Sequence, residues 1–192
     1  MKKIIAFAAA ALLCLSAFAQ GKEYKASMFG IKSDGSFDNT TSIQKAIDWI
    51  AEKGGGTLTF SVGRYVTGAV YLRSGVNIRL DAASDIIGNE NIYSYKGQKA
   101  IFNGIGVENV TIFATRGNGV VDGRSALVKK TYETQLAKGH ISASTPLPAL
   151  FYFKDCKNVK LKKVLYRDSA NEAWYIAEGG GVSEEGCFTD TK

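Results

Sequence analysis

One stretch of this chain is written twice. Residues 149–161 match residues 100–112 without a gap at an offset of 49, and Ala100, Phe102, Asn109 and Val110 recur as Ala149, Phe151, Asn158 and Val159. A fainter copy begins at Ser74, where an offset of 32 brings Asn77 onto Asn109. Repetition of this kind constrains the fold strongly. A unit too small to bury its own apolar face must bury it against the next copy. Each asparagine is followed by an apolar–polar–apolar triplet: Ile78, Arg79, Leu80; Val110, Thr111, Ile112; Val159, Lys160, Leu161. Alternation with period two describes a strand with one buried face. A second apolar pair follows each triplet, at Ile86-Ile87, Val120-Val121 and Val164-Leu165. Asparagine tolerates the left-handed backbone region and suits a tight corner. Two strands per repeat and a fixed corner residue predict an all-β chain, a right-handed parallel β-helix. Hairpin turn signals between the strands are scarce, which weighs against an antiparallel sandwich.

The remaining segments fit around that solenoid. Residues 1–19 have the form of a cleaved signal peptide: Lys2-Lys3, an apolar run from Ile4 to Leu15, and a small-residue site at Ala17-Phe-Ala19. Cleavage after Ala19 predicts a secreted or periplasmic monomer. The apolar run is short for a membrane span, and Leu13 before Cys14 is a poor lipoprotein signal. Residues 20–66 read as an N-terminal cap with a short α-helix at about 40–53. Thr41 and Gln44 have capping-box spacing. Ile43, Ala46, Ile47, Ile50 and Ala51 form one apolar stripe, and Gly54-Gly55-Gly56 ends the helix. The coils are expected over 67–176, with a polar loop inserted at 124–148. Residues 177–192 lack the alternation and the asparagine marker, and they read as an irregular polar tail on a solenoid that is cut short.

Losing Lys2 and Lys3 lowers the net charge from +6 to +4. A mild basic excess suits a polyanionic partner. No basic run interleaved with aromatics points to nucleic acid. Cys156 takes the repeat position of Val107, which reads as a small buried apolar residue more readily than as half of a bridge to Cys187.

Several motifs resemble a known family. Phe29-Gly30, Asp34-Gly35, Asp38-Asn39-Thr40, Ile43-Gln44, Ala46-Ile47, the Gly54–Leu58 run and Gly63 with Tyr65 are similar to the N-terminal cap of pectin-degrading β-helix proteins. Leu72 with Ser74-Gly75-Val76-Asn77-Ile78, then Asn118-Gly119 with Val121-Asp122-Gly123, and Phe151, Phe153, Cys156 and Asn158-Val159 resemble glycoside hydrolase family 28, the polygalacturonases. Ser61 departs from the proline common there. The resemblance covers roughly residues 26–174. It implies hydrolysis of α-1,4-galacturonosyl bonds in pectin by inversion, on an acidic polysaccharide, with no metal and no organic cofactor. It also implies that 124–148 either walls the substrate cleft or is a mobile insertion.

The family's catalytic motifs are absent from this sequence. Inversion needs a general acid and a general base about 6.5–9.5 Å apart, which the family places in an Asn-Thr-Asp motif and an Asp-Asp pair. Neither occurs here, nor do the following Gly-His-Gly and Arg-x-Lys. No catalytic residue is therefore assigned, no metal ligand, and no particular substrate contact. The acids Asp38, Asp81, Asp85, Asp122, Asp155, Asp168 and Glu172 are scattered, and the only histidine, His140, falls in the polar insertion. Arg167 and Asp168 are adjacent and so would face opposite sides of a strand, which weakens a calcium-lyase reading. The alternative function is a non-catalytic β-helix module that binds acidic polysaccharide.

Overall fold

The structure, a computed structural model, describes residues 21–115 and 119–190; the signal peptide expected at 1–19 lies outside them. Sixteen short strands among the described residues fall in chain order onto three parallel sheets. The chain starts with β1 (Glu23–Lys25), β2 (Asp34–Asp38) and helix α1 (Thr40–Glu52). It then runs through β3 (Gly56–Phe60), β4 (Gly63–Thr67) and β5 (Val70–Tyr71). The following turns are β6 (Val76–Leu80), β7 (Ser84–Gly88) and β8 (Ala100–Ile105), and then β9 (Glu108–Ala114) and β10 (Gly119–Asp122). Helix α2 (Ser125–Ala137) precedes β11 (Ala149–Lys154), β12 (Lys157–Lys162), β13 (Val164–Arg167), β14 (Tyr175–Glu178), β15 (Val182–Glu185) and β16 (Phe188–Asp190). The first sheet runs β1-β3-β6-β9-β12-β15, the second β16-β13-β10-β7-β4-β2, and the third β14-β11-β8-β5. Each coil thus carries three strands where the repeat predicted two. What reads as one strand in residues 100–112 is β8 and β9, bent apart at Gly106 (φ 62°). The coils also begin earlier than expected, since β3 and β4 of the cap segment already belong to the first and second sheets.

The corners are left-handed in register. Gly55, Gly75, Asn109, Asn158 and Gly181 precede equivalent positions of the first sheet and all have positive φ. The Asn158 amide donates to Asn109 Oδ1 at 2.7 Å, bonding one corner to the next. Asn77 is not their counterpart. Ile78 pairs with Ile112, an offset of 34, so Asn77 stands beside Thr111 and accepts its backbone N–H at 2.8 Å. A slip of two residues keeps every side chain on its own face, and alternation alone could not reveal it.

Inside the coils, like residues stack. Leu58, Ile78, Ile112 and Leu161 form one buried row. Phe102 stacks on Phe151 at 5.7 Å and 12°, and Tyr166 packs against Phe151 at 5.2 Å. Cys156 is buried at the position registered with Val107, its thiol 3.4 Å from the Gly104 carbonyl; both Cys156 and Cys187 are free. Helix α1 buries Ile43, Ala46, Ile47 and Ile50 against this core. The Thr41–Gln44 capping box does not form, because the helix starts two residues earlier, with Asn39 at its N-cap. Asp38 accepts the Thr40 N–H at 2.9 Å, and Gln44 reaches across to Tyr71 instead. Gln44 accepts the Tyr71 N–H at 2.6 Å and donates to its carbonyl at 3.1 Å. The side chain therefore fastens the cap to the edge of the third sheet.

Two further expectations are corrected. The insertion 124–148 is not all loop: thirteen of its residues form α2, anchored by the fully buried Val128. The tail is not irregular either. Residues 175–190 supply β14, β15 and β16, one new edge strand for each sheet, and Val182 pairs with Val159. Backbone pairing needs no apolar alternation, and glycines at 179, 181 and 186 take the corners. The inward row that carries Leu161 ends at Glu184, which accepts a hydrogen bond from Tyr166 at 2.6 Å. A carboxylate in an inward position blunts the end of a stack against strand addition.

The added strands are held by charge. Glu178 meets Lys99 at 2.7 Å, Glu185 meets Lys162 at 2.8 Å, and Asp190 meets Arg167 at 3.3 Å. Lys99 holds the Glu178 carboxyl below its ordinary range, and Lys162 does the same for Glu185. A depressed carboxylate contributes stability that is present above the unfolded pKa and is lost as pH falls through the folded one. Amide protection factors, corrected for the intrinsic pH dependence of exchange, should therefore fall in residues 175–190 below about pH 4, and in 1 M salt at neutral pH. Residues 149–167 should stay protected in both conditions. Equal exchange in both segments would show that the ion pairs do not set the local stability.

Candidate functional site

The outward face of the third sheet is the most developed surface for a ligand. Strand registry sets its rows. Tyr71, Asn103, Tyr152 and Ile176 lie side by side across β5, β8, β11 and β14, and Ile105, Lys154 and Glu178 form the next row. The alternation in β11 explains this: Phe151 and Phe153 enter the core, so Tyr152 and Lys154 must face out. Tyr152 packs on Ala100 and Ala149 in a small apolar cluster of its own, with Ile176 against it. Lys99 Nζ lies 4.6 Å from the Tyr152 ring centre and pairs with Glu178.

One side of this face is walled. The connections from the second to the third sheet are the long ones, residues 89–99 and 123–148. They touch through α2 and the 3-10 turn Ile92–Tyr95, where the Tyr93 hydroxyl donates to Gln135 at 3.0 Å. Asn171 ties the next connection to this wall, its backbone N–H donating to the Pro148 carbonyl and its side chain to the Leu147 carbonyl. The connections from the third to the first sheet are tight turns, so the result is a ledge with one wall. A cleft of about 170 Å³ opens at its α1 end, lined by Gln44, Tyr71, Tyr95, Lys96 and Gln98. A larger hollow of about 410 Å³, with Trp174, Tyr175, Glu184 and Phe188, lies at the end of the stack, away from the ledge.

Two buried side-chain atoms among the described residues have no hydrogen-bond partner, Asn103 Oδ1 on the ledge floor and Tyr95 Oη under the wall. Burial pushes the Tyr95 hydroxyl's pKa up, so it stays protonated.

The acids singled out in the sequence do not converge on the ledge. Asp38 caps α1 and accepts from Ser94. Asp81 pairs with Arg79 at 2.9 Å. Asp85 and Asp122 lie on the second sheet, where Asp122 accepts the Arg124 N–H; burial raises its pKa. Asp155 and Asp168 are left-handed corner residues, and the Asp168 carbonyl receives the Ser125 N–H at the start of α2. Glu172 lies in the turn before β14. Arg167 faces Asp122 and Asp190, not Asp168. His140 is exposed beyond α2 and bonds Gln135. The groups that do meet on the ledge, Lys99, Tyr152 and Glu178, are not singled out by the sequence. The outward positions of 149–154 were the available signal for Tyr152. No group of three or more potential metal ligands occurs among the described residues, and none of their helices is long and apolar enough to cross a membrane.

No family model matches the chain, and no curated protein does. Among solved structures, a "putative glycosyl hydrolase" from Parabacteroides merdae is 39% identical, with a TM-score of 0.82 over 88% of this chain and 75% of its own. The chain belongs to this glycosyl hydrolase family. The fold of the chain is also that of the polygalacturonases, as its motifs suggested. The family 28 exopolygalacturonase of Yersinia enterocolitica superposes with a TM-score of 0.76 at 19% identity, over 89% of this chain and 39% of that one. The exopolygalacturonase of Thermotoga maritima gives 0.61 at 20% identity, over 85% and 47%. The glycosyl hydrolase chain thus spans three quarters of the Parabacteroides protein and less than half of either exopolygalacturonase.

Proposed function

We propose that the chain is the polysaccharide-holding part of a secreted, polygalacturonase-like glycoside hydrolase, exported by its leader 1–19, and that an acidic glycan lies along the ledge of the third sheet. The observation that carries this reading is the ledge itself: two cationic side chains, Lys99 and Lys154, set around the buried Tyr152 beside a built wall. Cations take uronate carboxylates. The family reaction is hydrolysis of α-1,4-galacturonosyl bonds by inversion, which uses two carboxyl groups. The two outward rows of the ledge offer one, Glu178, and it is paired with a lysine. On this reading the ledge holds the glycan, and its two outward rows supply no second acid.

Titrating isotope-labelled protein with trigalacturonate tests this. Resonances of the ledge rows are expected to move, with no new reducing ends released. Turnover of polygalacturonate by the purified chain would show that a second acid acts.

A further inference from the structure

Resting on that reading, we propose that Glu178 is a built-in competitor for the glycan. It occupies with its own carboxylate the site on Lys99 that a uronate carboxylate would take, and so sets how strongly the ledge prefers acidic chains.

The geometry is specific. Lys99 precedes β8, and its backbone carbonyl accepts the Ala149 N–H at 2.8 Å, so the residue is fixed at the start of two adjacent strands. Its ammonium stretches over the Tyr152 ring to Glu178 at 2.7 Å. Glu178 ends β14, the edge strand, directly beside Lys154 of β11. A carboxylate and an ammonium are thus assembled on the open ledge over the buried Tyr152 ring, with Lys99 and Glu178 both about half exposed, at 48% and 42% of their side-chain surfaces. A uronic acid lying along the ledge beside Lys99 would bring its own carboxylate to the same ammonium. One cation facing one incoming anion makes the internal pair and the ligand mutually exclusive at Lys99. The other charged and titratable groups facing Glu178 are Tyr152 and Lys154, with Asp155 at the adjoining corner beside Gly179. Lys154 has no acid within salt-bridge distance among the described residues, so it remains for either carboxylate.

The competition separates two properties that a simple basic patch would couple. Removing the cation should weaken binding of acidic oligomers. Removing the internal anion should strengthen it, although it lowers the negative charge by only one. A neutral oligosaccharide of the same length should respond to neither change, because it carries no carboxylate to compete with Glu178 for the ammonium.

The experiment is calorimetric titration of trigalacturonate, and of a carboxyl-reduced trisaccharide, into wild type and four variants at low ionic strength. Glu178→Gln should bind trigalacturonate about tenfold more tightly than wild type. Lys99→Gln should bind it about tenfold more weakly, and Lys99→Gln with Glu178→Gln should match Lys99→Gln alone. Glu185→Gln unfastens the same terminal strands on the first sheet, away from the ledge, and should leave affinity unchanged. That control separates competition from loosening of the edge. Unchanged or weaker binding by Glu178→Gln, or an equal gain in Glu185→Gln, overturns the proposal while leaving the ledge as a glycan site. If neither wild type nor any variant binds trigalacturonate, the acidic-glycan reading falls, and the proposal with it.

Discussion

Phe151→Ala lowers the stability of the protein by about 3–5 kcal/mol, measured by chemical denaturation of the chain without residues 1–19. This is the largest loss expected from truncating one side chain in the later coils. Phe151 is fully buried and sits where two directions of packing cross. It stacks on Phe102 of the previous coil and on Phe153 of its own strand, and it meets Tyr166 of the second sheet. A solenoid has no distant element to collapse into the space, because each coil touches only its neighbours. The cavity should stay open. Phe151→Leu refills part of it and should recover about half of the loss. A loss below about 1 kcal/mol for Phe151→Ala, well short of the usual cost of such a truncation, would mean that the aromatic stack is not the core of the later coils.

Asn39→Ala comes second, at about 2 kcal/mol, in the same denaturation experiment. Asn39 is fully buried under the start of α1. Its side chain accepts the Lys32 N–H at 2.8 Å and donates to the Lys32 and Phe37 carbonyls at 2.9 and 3.0 Å. Its backbone N–H reaches Val66 on β4 at 2.9 Å. One amide thus closes the loop that carries β2 and seats the cap on the first coil. Water can replace part of what is lost at the exposed Lys32 and Phe37, which keeps the cost below that of the core cavity. Asn39→Asp retains the acceptor for Lys32 but loses both donations and places a charge in a buried site, so it should be no better than alanine. A near-wild-type Asn39→Asp would contradict this role for the amide in the cap.

Much of this architecture was legible because a parallel solenoid writes its register into the chain. Asn109 and Asn158 mark equivalent corners, and the apolar residues after them stack in the core. The failures have physical causes. The corner at Gly75 uses glycine where the later ones use asparagine, so Asn77 drew the alignment two residues out of step. Alternation is blind to a shift of two. The last strands were unreadable because they are docked by ion pairs and backbone bonds, with Glu184 in a row that is otherwise Leu161, Ile112 and Ile78. Helix α2 carries one fully buried side chain, Val128, and so shows no apolar stripe. The ledge was the hardest part. Lys99 and Glu178 are far apart in sequence, and only the registry of β8, β11 and β14 brings them together over Tyr152.

If the proposed function is right, the third sheet, among the three outer faces, holds the glycan. Two-dimensional NMR of the labelled chain during titration with trigalacturonate tests it most directly. Saturable shifts are expected at the amides of Tyr71, Asn103, Tyr152, Lys154, Ile176 and Glu178, with those of Arg79, Thr111 and Lys160 on the first sheet unmoved. Shifts centred on Arg79, Thr111 and Lys160, or no saturable shift at all, would contradict it.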